Sequence, residues 1–72
     1  MTEKKSIRTN LKVFRVKNQM SQEKMAEKIG CMRATYSAIE NAKREGRSEF
    51  WKSLQSEFSL SDEEVLELKI VD

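Results

Sequence analysis

Ile7, Leu11 and Phe14 recur at spacings of four and three, which places them on one side of a helix expected over residues 6–18. Asn18, Gln19 and Met20 break that stripe, and Ser21 then offers a side-chain oxygen to the free amides of a second helix over residues 22–29. Gly30 follows at the point where a chain leaving a helix turns left-handed, a conformation that costs a residue with a β-carbon about 1 kcal/mol or more. A third helix over residues 32–41 buries Tyr36 and Ile39 and turns Arg33, Ala34, Ser37 and Ala38 toward other faces. Beyond the charged connector Lys43, Arg44, Glu45, Gly46 and Arg47, a fourth amphipathic helix is marked by Phe50, Leu54 and Phe58, with Trp51 one step round. Ser61 with Glu64 three residues later is a capping box, and Asp62 and Glu63 suit the first turn of a fifth helix whose apolar content is Val65, Leu66, Leu68 and Ile70. The fold class read from this pattern is all-α, with five helices.

Composition narrows the picture further. The chain has 72 residues, no proline, and glycine only at positions 30 and 46. That length makes one domain, residues 1–72, with a thin core, and residues 1–5 are expected to be a flexible tail. Cys31 is the only cysteine and there is no histidine, so an internal disulfide is impossible and a metal would have to be held by carboxylates alone. No cofactor, metal or small-molecule ligand is expected. No long apolar run follows Lys4 and Lys5, which leads to the expectation of a soluble, cytoplasmic protein without a membrane partner. The net charge of +2 conceals an asymmetry: residues 1–47 carry twelve Lys or Arg against five acids, whereas residues 48–72 carry two against seven. A polyanion would be drawn to the first part only. No nucleophile has a base partner and no glycine-rich loop is present, so the chain offers no candidate for catalysis and is not expected to be an enzyme.

Residues 22–41 read as two short helices joined by a tight turn. Met25, Ile29, Cys31, Tyr36 and Ile39 point inward, Ala26 is small where the helices touch, and Gly30 occupies the turn. With Ser21-Gln22 ahead of the unit and Ile39-Glu40-Asn41 then Ala42-Lys43-Arg44 behind it, the chain resembles the phage repressor and Cro family of helix-turn-helix regulators, also called XRE-like, over about residues 7–60. Phe50-Trp51 and Ser61-Asp62-Glu63-Glu64 resemble short single-domain members from bacterial genomes and their mobile elements. The resemblance implies a five-helix, lambda-repressor-like domain that binds a double-stranded DNA operator, as a repressor of transcription.

The same resemblance suggests roles for individual residues. Gln22 would donate to a backbone phosphate at the start of the second helix, and Asn41, Lys43 and Arg44 would form a second phosphate clamp, with Lys12 and Arg47 as neighbours. Base reading would fall to Met32, Arg33, Ala34, Ser37 and Ala38. Arg33 leads that set because its planar fork can make two hydrogen bonds to a guanine, though an arginine there also suits a phosphate. Met32 and Ala34 suit a thymine methyl, and Ser37 suits either base or phosphate. Arg15 and Glu40 match positions that form an ion pair in the family, holding the third helix against the first. Thr35 and Tyr36 would support the helix rather than read DNA, and Cys31 would serve as a small apolar residue.

Three departures from the family pattern stand out. Met32 occupies the usual Ser or Thr cap position, Ala42 replaces the glycine after Glu-Asn, at a small strain or with an altered exit from the helix, and Ala38 is shorter than the usual polar reader. Two copies are expected on a pseudo-palindrome, at least when bound to DNA. The apolar surplus of Val65, Leu66, Leu68, Ile70 and Val71 suits either that contact or closure of the monomer core. The alternative to a DNA reader is a protein-interaction module of the same fold, an antitoxin or anti-repressor using the acidic end as its working surface.

Overall fold

The computed structural model describes residues 6–72. Five helices follow one another: α1 Thr9–Lys17, α2 Gln22–Ile29, α3 Arg33–Glu40, α4 Ser48–Phe58 and α5 Asp62–Lys69, with no strand among the described residues. The expected tail at residues 1–5 lies outside the described residues. Capping chemistry accounts for most of the boundaries. Ser21 Oγ accepts from the Lys24 amide at 3.1 Å to open α2, and Gly30, at φ +88°, closes it. At α5 both halves of the capping box are present, Ser61 Oγ accepting from the Glu64 amide and a Glu64 carboxylate oxygen accepting from the Ser61 amide.

The apolar stripes meet in one cluster: Leu11 from α1, Met25, Ala26 and Ile29 from α2, Tyr36 and Ile39 from α3, Phe50, Trp51 and Leu54 from α4, and Val65 and Leu68 from α5. Phe14, Met20, Cys31, Phe58 and Leu60 pack around it half-buried, with Phe14 and Phe58 edge to face at 5.0 Å. Packing pairs α2 with α3, α1 with α5 and α2 with α4, so the helix-turn-helix rests on α4 while α5 closes over α1.

The bounds of two helices differ from the sequence pattern. The first helix starts at Thr9 rather than residue 6, because Arg8 takes a non-helical backbone (φ −90°, ψ 81°) and its guanidinium turns inward. The third helix is shorter by one residue at each end: Met32 is its extended N-cap and Asn41 its C-cap. The fourth begins at Ser48, directly after the charged connector that ends at Arg47. On α5 only Val65 and Leu68 are buried; Leu66, Ile70 and Val71 remain exposed, so the apolar surplus there is not consumed by the core of one chain.

Candidate nucleic-acid interface

The helix-turn-helix presents a surface because its other side is firmly held. Tyr36, Ile39 and Glu40 anchor α3 to the body, and each is almost wholly buried. With that face inward, Arg33 and Ala34 in the first turn of α3 are exposed, as is Met32 just ahead of it, at 72%. Met32 has no cap oxygen to offer, so the first-turn N–H groups of α3 gain no side-chain partner from it. Ser37 and Ala38, expected on the same reading face, are half-buried. The Ser37 hydroxyl accepts from Asn41 Nδ2 at 3.3 Å, which ties together one residue expected to read bases and one expected to clamp phosphate.

Past α3 the chain turns tightly. The Ala38 carbonyl accepts from the Lys43 amide at 2.8 Å and the Arg44 amide at 3.2 Å, and Ala42 sits at φ +57° between them. Asn41, Lys43 and Arg44 are exposed on this turn, and Lys12 and Arg47 are exposed as well. Ala42 thus adopts the left-handed backbone that glycine would adopt without penalty. Gly46, at φ +84°, is the opposite case, since a β-carbon there would lie 2.8 Å from Trp51 Nε1, the atom that donates to the Glu45 carbonyl. Ala42→Gly is therefore expected to stabilise the fold by up to about 1 kcal/mol, and Gly46→Ala to destabilise it by about 2 kcal/mol. Urea unfolding followed by circular dichroism checks both; shifts of the same sign would contradict the backbone assignment.

Beneath this surface lies a polar cluster. Arg15 donates from Nε to Glu40 Oε2 at 2.9 Å and from Nη2 to Oε1 at 3.3 Å, with side chains only 13% and 4% exposed, and its Nη1 donates to the Met20 carbonyl at 2.8 Å. The Tyr36 hydroxyl donates to Glu40 Oε2 at 2.7 Å and Gln22 Nε2 to Oε1 at 3.1 Å. Burial by itself would push the Glu40 carboxyl up, yet the hydrogen bonds from Arg15, Tyr36 and Gln22 and the Arg15 charge hold it below its ordinary value. Burial, followed by the adjacent carboxylate, pushes the Tyr36 phenol far up, so it remains a donor. Burial likewise raises the Cys31 thiol, which suits its packing role and disfavours a reactive thiolate. Gln22, expected to face a phosphate, is thus also an internal donor to Glu40.

A second cluster has no counterpart in the sequence reading. Arg8, 5% exposed, donates to the carbonyls of Ile39, Arg44, Glu45 and Lys69, and its backbone amide donates to the Glu40 carbonyl. Its guanidinium also lies 5.7 Å from the centre of the Trp51 ring. It joins the start of α1 to the end of α3, the turn that follows and the end of α5. One signal was available: Arg8, Leu11 and Arg15 share a helical face by spacing, which places charge on both sides of a core residue.

A family model described as helix-turn-helix matches residues 11–64, well over half of the chain. The chain belongs to the XRE-type helix-turn-helix family. It is accordingly a DNA-binding transcription regulator, of a family that is not typically enzymatic. No curated protein and no solved structure matches it. Among the described residues, no helix of this helix-turn-helix protein is long and apolar enough to cross a membrane.

Proposed function

We propose that this regulator is a sequence-specific repressor that lays α3 in the major groove of an operator and blocks transcription by occupying it. The observation that carries the reading is the exposed run Met32, Arg33 and Ala34 at the start of a helix whose opposite face is locked by Tyr36, Ile39 and Glu40. Arg33 is the principal base contact, pairing two donors with a guanine. Met32 and Ala34 meet thymine methyls, while Ser37 and Ala38, half-buried, contribute less. Asn41, Lys43, Arg44 and Gln22 meet phosphates on either side of α3 and set its register. Repression itself rests on the family resemblance. Two copies bind a pseudo-palindrome with recognition helices about 34 Å apart. The exposed Leu66 on α5, with Ile70 and Val71 just past its end, offers apolar surface for that pairing.

The test is selection of bound sequences from random duplex DNA, with the native protein and Arg33→Ala in parallel at fixed salt. A symmetric motif is expected, with one guanine per half-site whose preference, worth about 1–3 kcal/mol, disappears in the variant. A motif that Arg33→Ala leaves unchanged would remove Arg33 from base reading. No enrichment by the native protein would favour the second reading, in which the same exposed apolar residues and the acidic residues around them dock on another regulator. The two also differ in salt response: binding through several phosphates weakens steeply as salt rises, whereas an apolar protein interface scarcely responds.

A further inference from the structure

Gln22 occupies the first position of α2, where the N–H groups of the opening turn have no carbonyl four residues back within the helix. Its side chain is half-buried, and its amide lies 3.1 Å from Glu40 Oε1. An ionised carboxylate can only accept, so the atom facing Glu40 must be the nitrogen; the flipped amide would set two oxygens against each other. An amide nitrogen carries two hydrogens, and Glu40 engages one. The second remains a donor whose direction is set by the plane of the amide.

We infer that Glu40 is a positioning residue for DNA binding, which fixes the Gln22 amide with a donor rather than an acceptor turned toward the phosphate backbone. The inference rests on the proposed placement of DNA against α2 and α3. A Gln22 side chain free to rotate would present its carbonyl oxygen to an anion as readily as its N–H, and Glu23 in the same helical turn already carries a charge that repels phosphate. Glu40 adds no comparable repulsion, because Arg15 forms a two-point pair with it and Tyr36 donates to the same carboxylate. The cluster that holds α3 in place therefore also sets the polarity of a contact at the start of α2.

Glu40→Ala would leave Arg15 buried and unpaired, so the cluster is better exchanged as a whole. Arg15→Met, Tyr36→Phe and Glu40→Leu together replace it with apolar side chains, an exchange that buried ion pairs tolerate about neutrally. Affinity for a pooled random-sequence 20-base-pair duplex is measured for four proteins: native, Gln22→Ala, the triple variant, and the triple variant with Gln22→Ala. Gln22→Ala is expected to weaken binding about tenfold. The triple variant should weaken binding by a similar or smaller factor when Gln22 is present and not at all when it is absent. Equal weakening in both backgrounds would show that the cluster acts by placing α3, and no weakening in either would show that Gln22 needs no positioning; both overturn the inference. Salt-dependent binding by the native protein that Gln22→Ala leaves unchanged would refute the Gln22 contact alone, while absence of duplex binding by the native protein would refute the DNA placement. Nuclear magnetic resonance of the native protein supplies a measurement independent of how the triple variant folds. On addition of the duplex, one of the two Gln22 side-chain N–H signals should move while its partner stays near its starting position, and movement of both or of neither would overturn the inference.

Discussion

Glu40→Ala is expected to destabilise the protein by about 3–5 kcal/mol, the cost of leaving a buried charge without its partner. Arg15 would lose two hydrogen bonds, the Tyr36 hydroxyl its acceptor on Glu40 and Gln22 its anchor, all in a region that admits little water. A chain of 72 residues has about 4–11 kcal/mol of stability in total, so the variant should be partly unfolded near 37 °C, with a sharply lower urea midpoint. A loss below about 1 kcal/mol would mean that the pair behaves as an exposed one. The pH dependence has a definite sign. The folded carboxyl lies below its ordinary value, so the unfolded chain, titrating at about 4.3, binds the proton more readily. The Glu40 contribution is therefore complete above that pH and is lost as pH falls through the folded pKa. The apolar triple variant lacks this component, and the difference between the two stability curves, followed from pH 7 into acid, isolates it. Parallel curves would sink the assignment.

Arg8→Met is expected to cost about 2–4 kcal/mol, although it exchanges a charged side chain for an apolar one in a buried place. The loss arises mainly at the carbonyls of Arg44 and Lys69, which lose a charged donor; the Ile39 carbonyl keeps the Ala42 amide and the Glu45 carbonyl keeps Trp51 Nε1. Burial lowers the pKa of Arg8, with Glu45 opposing the shift, yet an arginine remains charged at any working pH. Arg8→Lys separates charge from geometry: an ammonium retains the charge but cannot span the end of α3, the turn after it and the end of α5 as a planar fork does. It should recover less than half of the loss. Because Arg44 lies on the proposed phosphate clamp, hydrogen exchange at the Lys43 and Arg44 amides should also accelerate in both variants. Full recovery by lysine, or unchanged exchange, would mean that Arg8 acts only as a positive charge near Glu45.

The helices were legible because their signals are local. Ser21 and Gly30 bound α2, Ser61 and Glu64 open α5, and the spacing of Met25, Ile29, Tyr36 and Ile39 marks the buried face of the helix-turn-helix. The start of α1 lies later than the stripe of Ile7, Leu11 and Phe14 places it, because Arg8 takes its acceptors from carbonyls of three distant segments, an arrangement with no signature along the chain. The site divides in the same way. That Met32, Arg33 and Ala34 lie opposite Tyr36 and Ile39 follows from helical period alone, whereas the link from Gln22 to Glu40 joins residues eighteen positions apart and has no signature along the chain.

The sequence by itself determined where the helices lie, which faces they bury and where positive charge collects, because periodicity, capping and charge act between near neighbours. Only the tertiary structure decided where the buried polar groups find partners: Arg8 among distant carbonyls, Glu40 as the shared acceptor of Arg15, Tyr36 and Gln22, and Leu66, Ile70 and Val71 left outside the core. A buried charge must be satisfied in three dimensions, and its partners come from whichever segments the packing brings near.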